Sequence, residues 1–476
     1  MGLFGIINSA SQSLKNIQSE INTVSDNVSN SNTPNYNARQ AGTVEGNAGG
    51  GTDRVVVNRA VDSTLQREML DQQSASSGAD FINNLYSQLE QLDGAANNSP
   101  TLPNTLQSFI DAVKNFQATP ESTATQQQVI QAGQNFASSI NQIATGVEKI
   151  ADQVQSQTTS DVTTLNQTLS SINSLNSQIV AAQSAGQPTA SLEDARDAAI
   201  QQVSTLVPVQ IHQNANGSIY LSTPSGVQLV GQTANNFAYD ATTNSLYSTQ
   251  DPSKTPLNSA ISSGQISAEL STLDTSAAGV ASQSPSQAPL QKIRDQLNAL
   301  VDMFVNPTAG GPPTAIQSAY DNATPVNGGE LPTGLFTLPA GAPAGSERFD
   351  LQINANLLNG TDTLKQSSAT ALLNALTSTS QTFNAGGVSV SSVSLSDIAN
   401  DLAGNQTARA QQAQTNQQAA STALTTTQTS YKNVTGVDVN QQLAQLIVLQ
   451  NTYGASAKVI SVVDQLFTLL QGLSPN

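Results

Sequence analysis

Two apolar stripes, one at each end of the chain, set the terms on which this sequence can fold. From Leu3 onward, apolar residues fall at Ile7, Ala10, Leu14, Ile17, Ile21, Val24 and Val28 in alternating steps of four and three, the spacing of a heptad seam. The run stops at Asn30-Ser31-Asn32-Thr33-Pro34-Asn35, a turn-rich stretch in which Pro34 disfavours helix in the residue before it. At the other end Val439, Leu446, Tyr453, Ile460 and Phe467 repeat every seven residues; Leu449, Val463 and Leu470 add to the stripe, and Leu443 and Ala457 widen it. Gly436 marks the start of that helix, and Gly472 with Pro475 its stop. A lone helix burying one such stripe does not recover the entropy lost in ordering its backbone. Each seam therefore needs a partner, most simply the other seam together with neighbouring copies of the chain, and in the isolated monomer both ends are expected to be largely disordered.

Between the seams the sequence predicts further long helices. One runs through Leu65, Met69, Leu85, Leu89 and Leu92; a second carries Leu106, Phe109, Ile110, Val113 and Phe116. The longest follows Thr119-Pro120-Glu121, with Val129, Phe136, Ile140, Ile143, Val147, Ile150, Val154, Leu165, Leu169, Ile172 and Ile179 on one face, and ends at Gly186-Gln187-Pro188. A return helix over 398–432 is rich in Ala, Gln and Thr, anchored by Ile398 and Leu402. In the middle, Val207–Ile211, Ser218–Leu221, Val227–Val230 and Asn236–Tyr239 read as short strands parted by turns such as Asn216-Gly217. A helix through Leu290, Ile293, Leu297, Leu300, Val301 and Phe304 interrupts them, and a Pro- and Gly-rich stretch from Asn306 to Gly345 precedes a strand-like Arg348–Ile353. The expected fold class is multidomain α+β: a long α-helical coiled coil or bundle built from both termini, with a β-rich domain inserted in the middle. The expected domains are 1–40 with 436–476 as a terminal coiled coil, 41–190 with 396–435 as a long-helix bundle, and 191–395 as a β-rich outer domain with room for a sub-insertion.

Composition narrows the function. A net charge of -17 with only 16 Lys and Arg, scattered along the chain, argues against nucleic acid, which is held by clustered cations. With no cysteine there is neither disulfide nor thiolate chemistry. The first residues lack the basic start, apolar run and small-residue cleavage site of a signal peptide, and no uninterrupted apolar run reaches the length that spans a bilayer, so no membrane insertion is expected. The single His212 rules out paired-histidine metal motifs, and no phosphate-binding or nucleophile-elbow motif occurs. No catalytic residue, metal ligand or cofactor is expected, and His212 reads as an exposed strand residue. The acidic cluster Glu193, Asp194, Arg196 and Asp197 reads as a solvated helix turn with local ion pairs, although carboxylates can in principle do acid-base work.

Specific motifs add a resemblance. Asn27-x-x-Asn30-x-Asn32-Thr33-Pro34-Asn35-Tyr36-x-x-Arg39-Gln40, following the first seam, resembles the signature of bacterial flagellar rod, hook and hook-associated proteins. Asn35 stands where that family usually has Gly, an exchange that a left-handed backbone tolerates. The C-terminal Val434-Thr435-Gly436-Val437, then Gln441, Gln442, Leu443, Leu446, Gln450 and Tyr453-x-Ala455-x-Ala457-Lys458-Val459-Ile460, resembles the same family, with Gln441 and Gln442 in place of its usual acidic pair. Leu192–Ile200 leading into strands is similar to the start of the β domain in junction proteins of the hook-associated protein 1 type. The resemblance implies a non-catalytic structural subunit at the extracellular junction of hook and filament, exported by the flagellar type III apparatus without a cleaved signal peptide. It implies as partners a ring of copies of itself, the hook protein, the second junction protein and through it the filament, and an export chaperone on the C-terminal segment around Leu446, Tyr453, Ile460 and Phe467. The polymer interface is expected at Leu3, Ile7, Leu14, Ile17, Ile21, Val24, Val28, Leu443, Leu446, Leu449, Tyr453, Ile460, Val463, Phe467 and Leu470, with Asn30, Asn32, Pro34, Tyr36, Arg39, Gly436, Ala457 and Lys458 as family motif residues. A rod or hook subunit, a secreted coiled-coil adhesin and, most remotely, a carboxylate-only hydrolase in the insert remain alternatives.

Overall fold

The computed structural model describes residues 3–33, 35–44, 54–92, 101–273, 288–305, 314–321, 334–338 and 347–472. In chain order they form helix α1 (Leu3–Ser29), a hairpin of β1 (Arg39–Val44) and β2 (Arg54–Arg59), then α2 (Ser63–Leu92), α3 (Leu102–Ala118), α4 (Thr123–Ser184) and α5 (Ala190–Leu206). Strands β3 (Gln210–Gln213), β4 (Ile219–Ser222), β5 (Gln228–Val230), β6 (Phe237–Asp240) and β7 (Ser245–Ser248) precede α6 (Gln265–Thr272), α7 (Pro289–Phe304) and α8 (Ala315–Asp321). After β8 (Phe336–Thr337), α9 (Glu347–Asp350), β9 (Gln352–Ile353), α10 (Ala355–Leu358), α11 (Ala369–Thr377), β10 (Gln381–Ala385) and β11 (Val388–Val393), the chain closes with α12 (Leu395–Thr435) and α13 (Val439–Gly472). The fold is largely helical, with a long C-terminal helix and small antiparallel sheets of two or three strands, β1-β2, β3-β4-β5, β6-β7, β8-β9 and β10-β11.

The chain divides into two compact units, one of residues 1–76, 163–236 and 420–476, the other of 77–162 and 237–419. In the first, α1 and α13 pack along each other around Ile17, Val24 and Leu449, with Ile21 and Leu446 alongside. The two seams, expected to partner each other together with neighbouring copies and to be largely disordered in the isolated monomer, are helical and paired within one chain. The second unit has the larger core, in which α3, α4, α7, α11 and the start of α12 bury their apolar faces together.

At its centre Phe109, Phe136, Phe304 and Phe336 meet ring to ring. Phe136 lies 5.0 Å from Phe304 between centroids, and Phe336 meets Phe109 edge-on at 5.4 Å and Phe304 at 5.3 Å. Such edge-to-face contacts match the positive edge of one ring to the negative face of another, adding to the burial of four large side chains. Gly133 lets α4 approach this cluster, because a Cβ there would press on Ile353 and Phe109 side chains.

Two details depart from the sequence reading. The middle of the chain alternates strands with helices α6 to α11, so its apolar residues are shared between short sheets and helix faces. Of Arg348–Ile353, read as strand-like, the first three residues belong to the helical turn Glu347–Asp350 and Gln352–Ile353 form a strand. Arg348 fixes that turn by donating to Glu148 at 2.9 Å and stacking over Phe349 at 4.3 Å, contacts whose spacing a strand would not provide. Most of the Pro- and Gly-rich stretch lies outside the described residues.

Phe136 is fully buried among three other rings, so Phe136→Ala is expected to destabilise the second unit by about 3 to 5 kcal/mol, read as a lowered urea midpoint with circular dichroism.

Candidate assembly interface

The first unit is closed by one side chain at the end of α1. Asn27 is fully buried, and its amide makes four hydrogen bonds, two donated and two accepted, which uses all that an asparagine amide can offer. Its Nδ2 donates to the Arg39 carbonyl at 2.7 Å and to Gln442 Oε1 on α13 at 2.9 Å. Its Oδ1 accepts from the Arg39 backbone N–H at 2.9 Å and from the Tyr36 hydroxyl at 3.0 Å. One amide therefore ties the end of α1 to the turn that follows it and to the start of α13. Because Asn27 near the end of α1 meets Gln442 near the beginning of α13, the two helices run antiparallel. Gln442 carries the contact as a neutral hydrogen bond, in the position where the resemblance leads one to expect an acid.

The turn itself is built to return the chain. Asn35 adopts φ 61°, the left-handed conformation that Asn tolerates better than most residues. Ala38 N–H then donates to the Thr435 carbonyl at the end of α12 at 2.7 Å. Gly436, in the sharp link from α12 to α13, has no room for a Cβ, which would collide with the Lys432 carbonyl. Tyr431 is buried on the same side, and burial, with Asp197 nearby, raises its phenol pKa.

The acidic cluster of α5 meets this corner, and here the sequence reading needs correcting. Among the described residues, its carboxylates are bridged by arginines of the β1-β2 hairpin and not by Arg196 of their own helix. Asp194 bridges Arg39 (2.8 Å) and Arg59 (2.6 Å), while Arg59 also reaches Asp197 (2.7 Å) and Glu193 (3.0 Å). The hairpin register explains why: Arg39 and Arg59 lie directly opposite on β1 and β2, a like-charge pair that would repel if left alone, and Asp194 neutralises it. At Arg59, burial disfavours the charge but Asp197 and Asp194 outweigh it, so its pKa is raised. At Asp197 the balance is reversed, and burial lifts the carboxyl despite Arg59. Arg196 faces the other way, donating to Asn176 Oδ1 at 3.1 Å and the Gly217 carbonyl at 2.9 Å, which fixes α5 against the β3-β4 turn.

The expected interface residues fall into distinct groups. Ile17, Val24, Leu449 and Val463 are buried; Ile7, Leu14, Ile21, Val28, Leu446 and Ile460 are half-buried; Leu443 and Tyr453 are exposed. The side chains of Leu3, Phe467 and Leu470, and all of Pro34, lie outside the described residues. Among the motif residues, Tyr36 and Arg39 join the Asn27 network, with the Arg39 guanidinium 4.9 Å above the Tyr36 ring. Asn30 caps its own turn, accepting from Thr33 and donating to the Asp26 carbonyl, while Asn32, Ala457 and Lys458 are exposed. His212 lies on the β3-β4 sheet, stacked on Tyr220 at 4.4 Å and 3.2 Å from Ser222 Oγ.

The heptad reading missed a second apolar face of α13. Ile447, Val448, Val459, Val462, Leu466 and Leu469 are between 45% and 65% exposed, on the side of the helix opposite Leu446 and Leu449. Within 395–466 one 18-residue window reaches a mean hydropathy of 1.2 with only 11% of it buried. Gln445, Gln450, Asn451 and Lys458 recur along this apolar part of α13, and each would be costly in hydrocarbon. An apolar face so interrupted fits a protein surface better than a bilayer.

Comparison with known proteins places this geometry. A family profile described as the flagellar hook-associated protein FlgK helical domain matches residues 86–307, and one described as the flagellar basal body rod FlgEFG protein C-terminal matches 428–472. The chain is 28% identical over 265 residues to flagellar hook-associated protein 1 of Salmonella typhimurium, covering 52% of this chain and 46% of that protein. It is 24% identical over 237 residues to flagellar hook-associated protein 1 of Bacillus subtilis, covering 46% of each. The chain thus spans about half the length of the curated relatives it matches. The structure of the flagellar hook junction protein FlgK from Burkholderia pseudomallei aligns with a TM-score of 0.45 at 21% identity, covering 57% of this chain and 46% of that one. Both profiles describe flagellar proteins, and one of them spans α1's partner helix. Residues 86–307 thus match the FlgK helical-domain family, and the curated relatives support a FlgK-type protein.

Asn27→Ala strands the Tyr36 hydroxyl, the Arg39 amide and Gln442 together, and is expected to cost about 2 kcal/mol or more of first-unit stability. Gln442→Glu keeps an acceptor for Asn27 Nδ2 and is expected to be near neutral at pH 7; urea unfolding followed by helix content compares the two.

Proposed function

We propose that this chain is a structural, non-catalytic subunit of the flagellar axis, joining hook to filament through its terminal helices. The observation that carries the reading is the apolar face of α13 turned away from α1: a helix already paired on one side and apolar on the other calls for a second partner. The expected interface residues on α1 and α13 would line the contact, together with Ile447, Val459, Val462, Leu466 and Leu469. The domain assignment belongs to the same proposal. Residues 1–40 with 436–476 would form the inner coiled coil, 41–190 with 396–435 a surrounding bundle, and 191–395 the outward-facing part. Copies of the chain would form a ring, with the hook protein on one side and the second junction protein, leading to the filament, on the other.

Export through the flagellar apparatus, without a cleaved signal peptide, fits a chain with no cysteine. The stripe around Leu446, Tyr453, Ile460 and Phe467 is the segment we assign to an export chaperone, which would cover it before assembly. The name hook-associated, borne by the relatives, favours the junction over other axial positions.

Val462 and Leu466 are exposed in the single chain. The double variant Val462→Asp, Leu466→Asp is therefore expected to keep its helix content yet leave cells with hooks that carry no filament. Removing residues 1–29 or 439–476 should have the same effect, and attached filaments with normal swimming in these strains would refute the proposal. Deleting 191–395 tests the adhesin alternative, which predicts lost adhesion with normal motility.

A further inference from the structure

Helix α6 holds Glu269 wholly buried, and its Oε2 has no hydrogen-bond partner. The carboxyl lies within hydrogen-bonding reach of Asp161 on α4, itself only 8% exposed. Gln265 Nε2 donates to both acids, at 2.7 Å to Asp161 Oδ2 and 3.1 Å to Glu269 Oε1, and Gln157 Nε2 donates to Asp161 Oδ1 at 3.0 Å. Asp161, Gln265 and Thr158 are the groups that act on Glu269, with no Lys or Arg among them.

Among the described residues, the surrounding elements bring no compensating cation. From β6 come Tyr239 and Asp240, and burial followed by Glu269 pushes the Tyr239 phenol up to about 12. Helix α7 also packs on α6, but its Arg294 is held by Glu148, its Asp295 accepts from Gln291, and its Lys292 lies by Arg409. On α2, Asp80 accepts from Gln417. Two ionised carboxylates at this depth would each lose hydration and repel the other, and a single proton between them removes the repulsion and leaves one buried charge in place of two. Glu269 Oε2 is the oxygen that such a proton would occupy, turning an orphaned acceptor into a donor.

We propose that Asp161 and Glu269 form a proton-binding site in which one shared proton clamps α6 to α4. The clamp extends to the β6-β7 hairpin. Asn244, in the turn between those strands, donates through Nδ2 to the Leu270 and Leu273 carbonyls at the end of α6 and accepts from the Tyr239 hydroxyl at 2.9 Å. Release of the proton therefore loosens α6 and the hairpin that caps it. Burial first, and Asp161 second, push the Glu269 carboxyl up to about 9. Because the folded value lies above the unfolded one, the stabilisation is complete below the ordinary carboxylate range and is lost progressively as pH rises towards 9.

Native-state hydrogen exchange of the full chain tests this. In the wild type the opening constant of residues 265–272, corrected for intrinsic exchange, is expected to rise about tenfold per pH unit between pH 6 and pH 9, the linkage of one proton. Glu269→Gln, which keeps the shape and can donate to Asp161, is expected to show no such rise. An equal rise in Glu269→Gln would overturn the proposal. A wild-type Glu269 carboxyl that titrates near pH 4 to 5 by carbon NMR would overturn it without any variant, and so would protection restored at pH 9 by millimolar calcium, which would mark a cation site instead.

Discussion

The closure of the first unit turns on the side-chain amide of Asn27. An α-helix leaves its last carbonyls unpaired and its chain must turn back through polar backbone, which here happens next to the buried Asn27. A buried amide, carbonyl or hydroxyl without a partner costs more than a satisfied one returns, so the buried Asn27 can sit here only if both its donors and its acceptor find partners. They do: the donor pair goes to the Arg39 carbonyl and Gln442, the acceptor to the Arg39 amide and Tyr36. Asp at that position would have no N–H to give, and Gln would place the amide one methylene too far along. Because one of the four bonds lands on α13, 415 residues away in sequence, the same amide that completes the turn also brings the two ends of the chain into register.

Around that point the charges do a different job. Arg39 and Arg59 are fixed opposite one another by the hairpin register, and the carboxylates of α5 convert a repulsive pair into a bridge. Pairs this deeply placed are seldom large net stabilisers, because desolvation offsets most of their attraction. Their geometry is nonetheless demanding, since Arg59 must reach Glu193, Asp194 and Asp197 at once. The network therefore contributes most by excluding other positions of the hairpin on α5, while the apolar contact between α1 and α13 supplies the attraction.

How much of this could be read from the sequence depended on the range over which each signal acts. The long helices were legible because their period is local: α2, α3, α4 and α12 lie where their apolar spacing puts them, and the breaks at Thr119-Pro120 and Gly186-Gln187-Pro188 bound α4. The β1-β2 hairpin was missed although Val55-Val56-Val57 is a β-branched run, because so short an apolar run has no period that tells a strand from a helix segment. The role of Glu193, Asp194 and Asp197 could not be found from spacing at all; their partners are about 135 to 155 residues away, and helix periodicity offered only near neighbours. Tyr36, Arg39 and Gly436 were noticed as motif residues, but the motif carried no account of what they touch.

The second face of α13 was missed for a further reason that bears on what the helix is for. A heptad template asks which residues share one seam, and once Leu446, Leu449 and Val463 satisfied it, Ile447, Val462 and Leu466 were left over as noise. A helix that is apolar on two opposite sides cannot bury both against a single antiparallel partner, since α1 covers only the stripe it faces. If α13 were buried in a monomer, the rest of the chain would have to wrap it; instead its surroundings in the first unit leave that face uncovered. An assembly subunit resolves the conflict, because one face can be satisfied within the chain, through Asn27 and the α1 seam, before the other is offered to a neighbour. The polar latch at Gln442 then matters twice: it sets the rotation of α13 about its own axis, and with it the direction in which Val462 and Leu466 point.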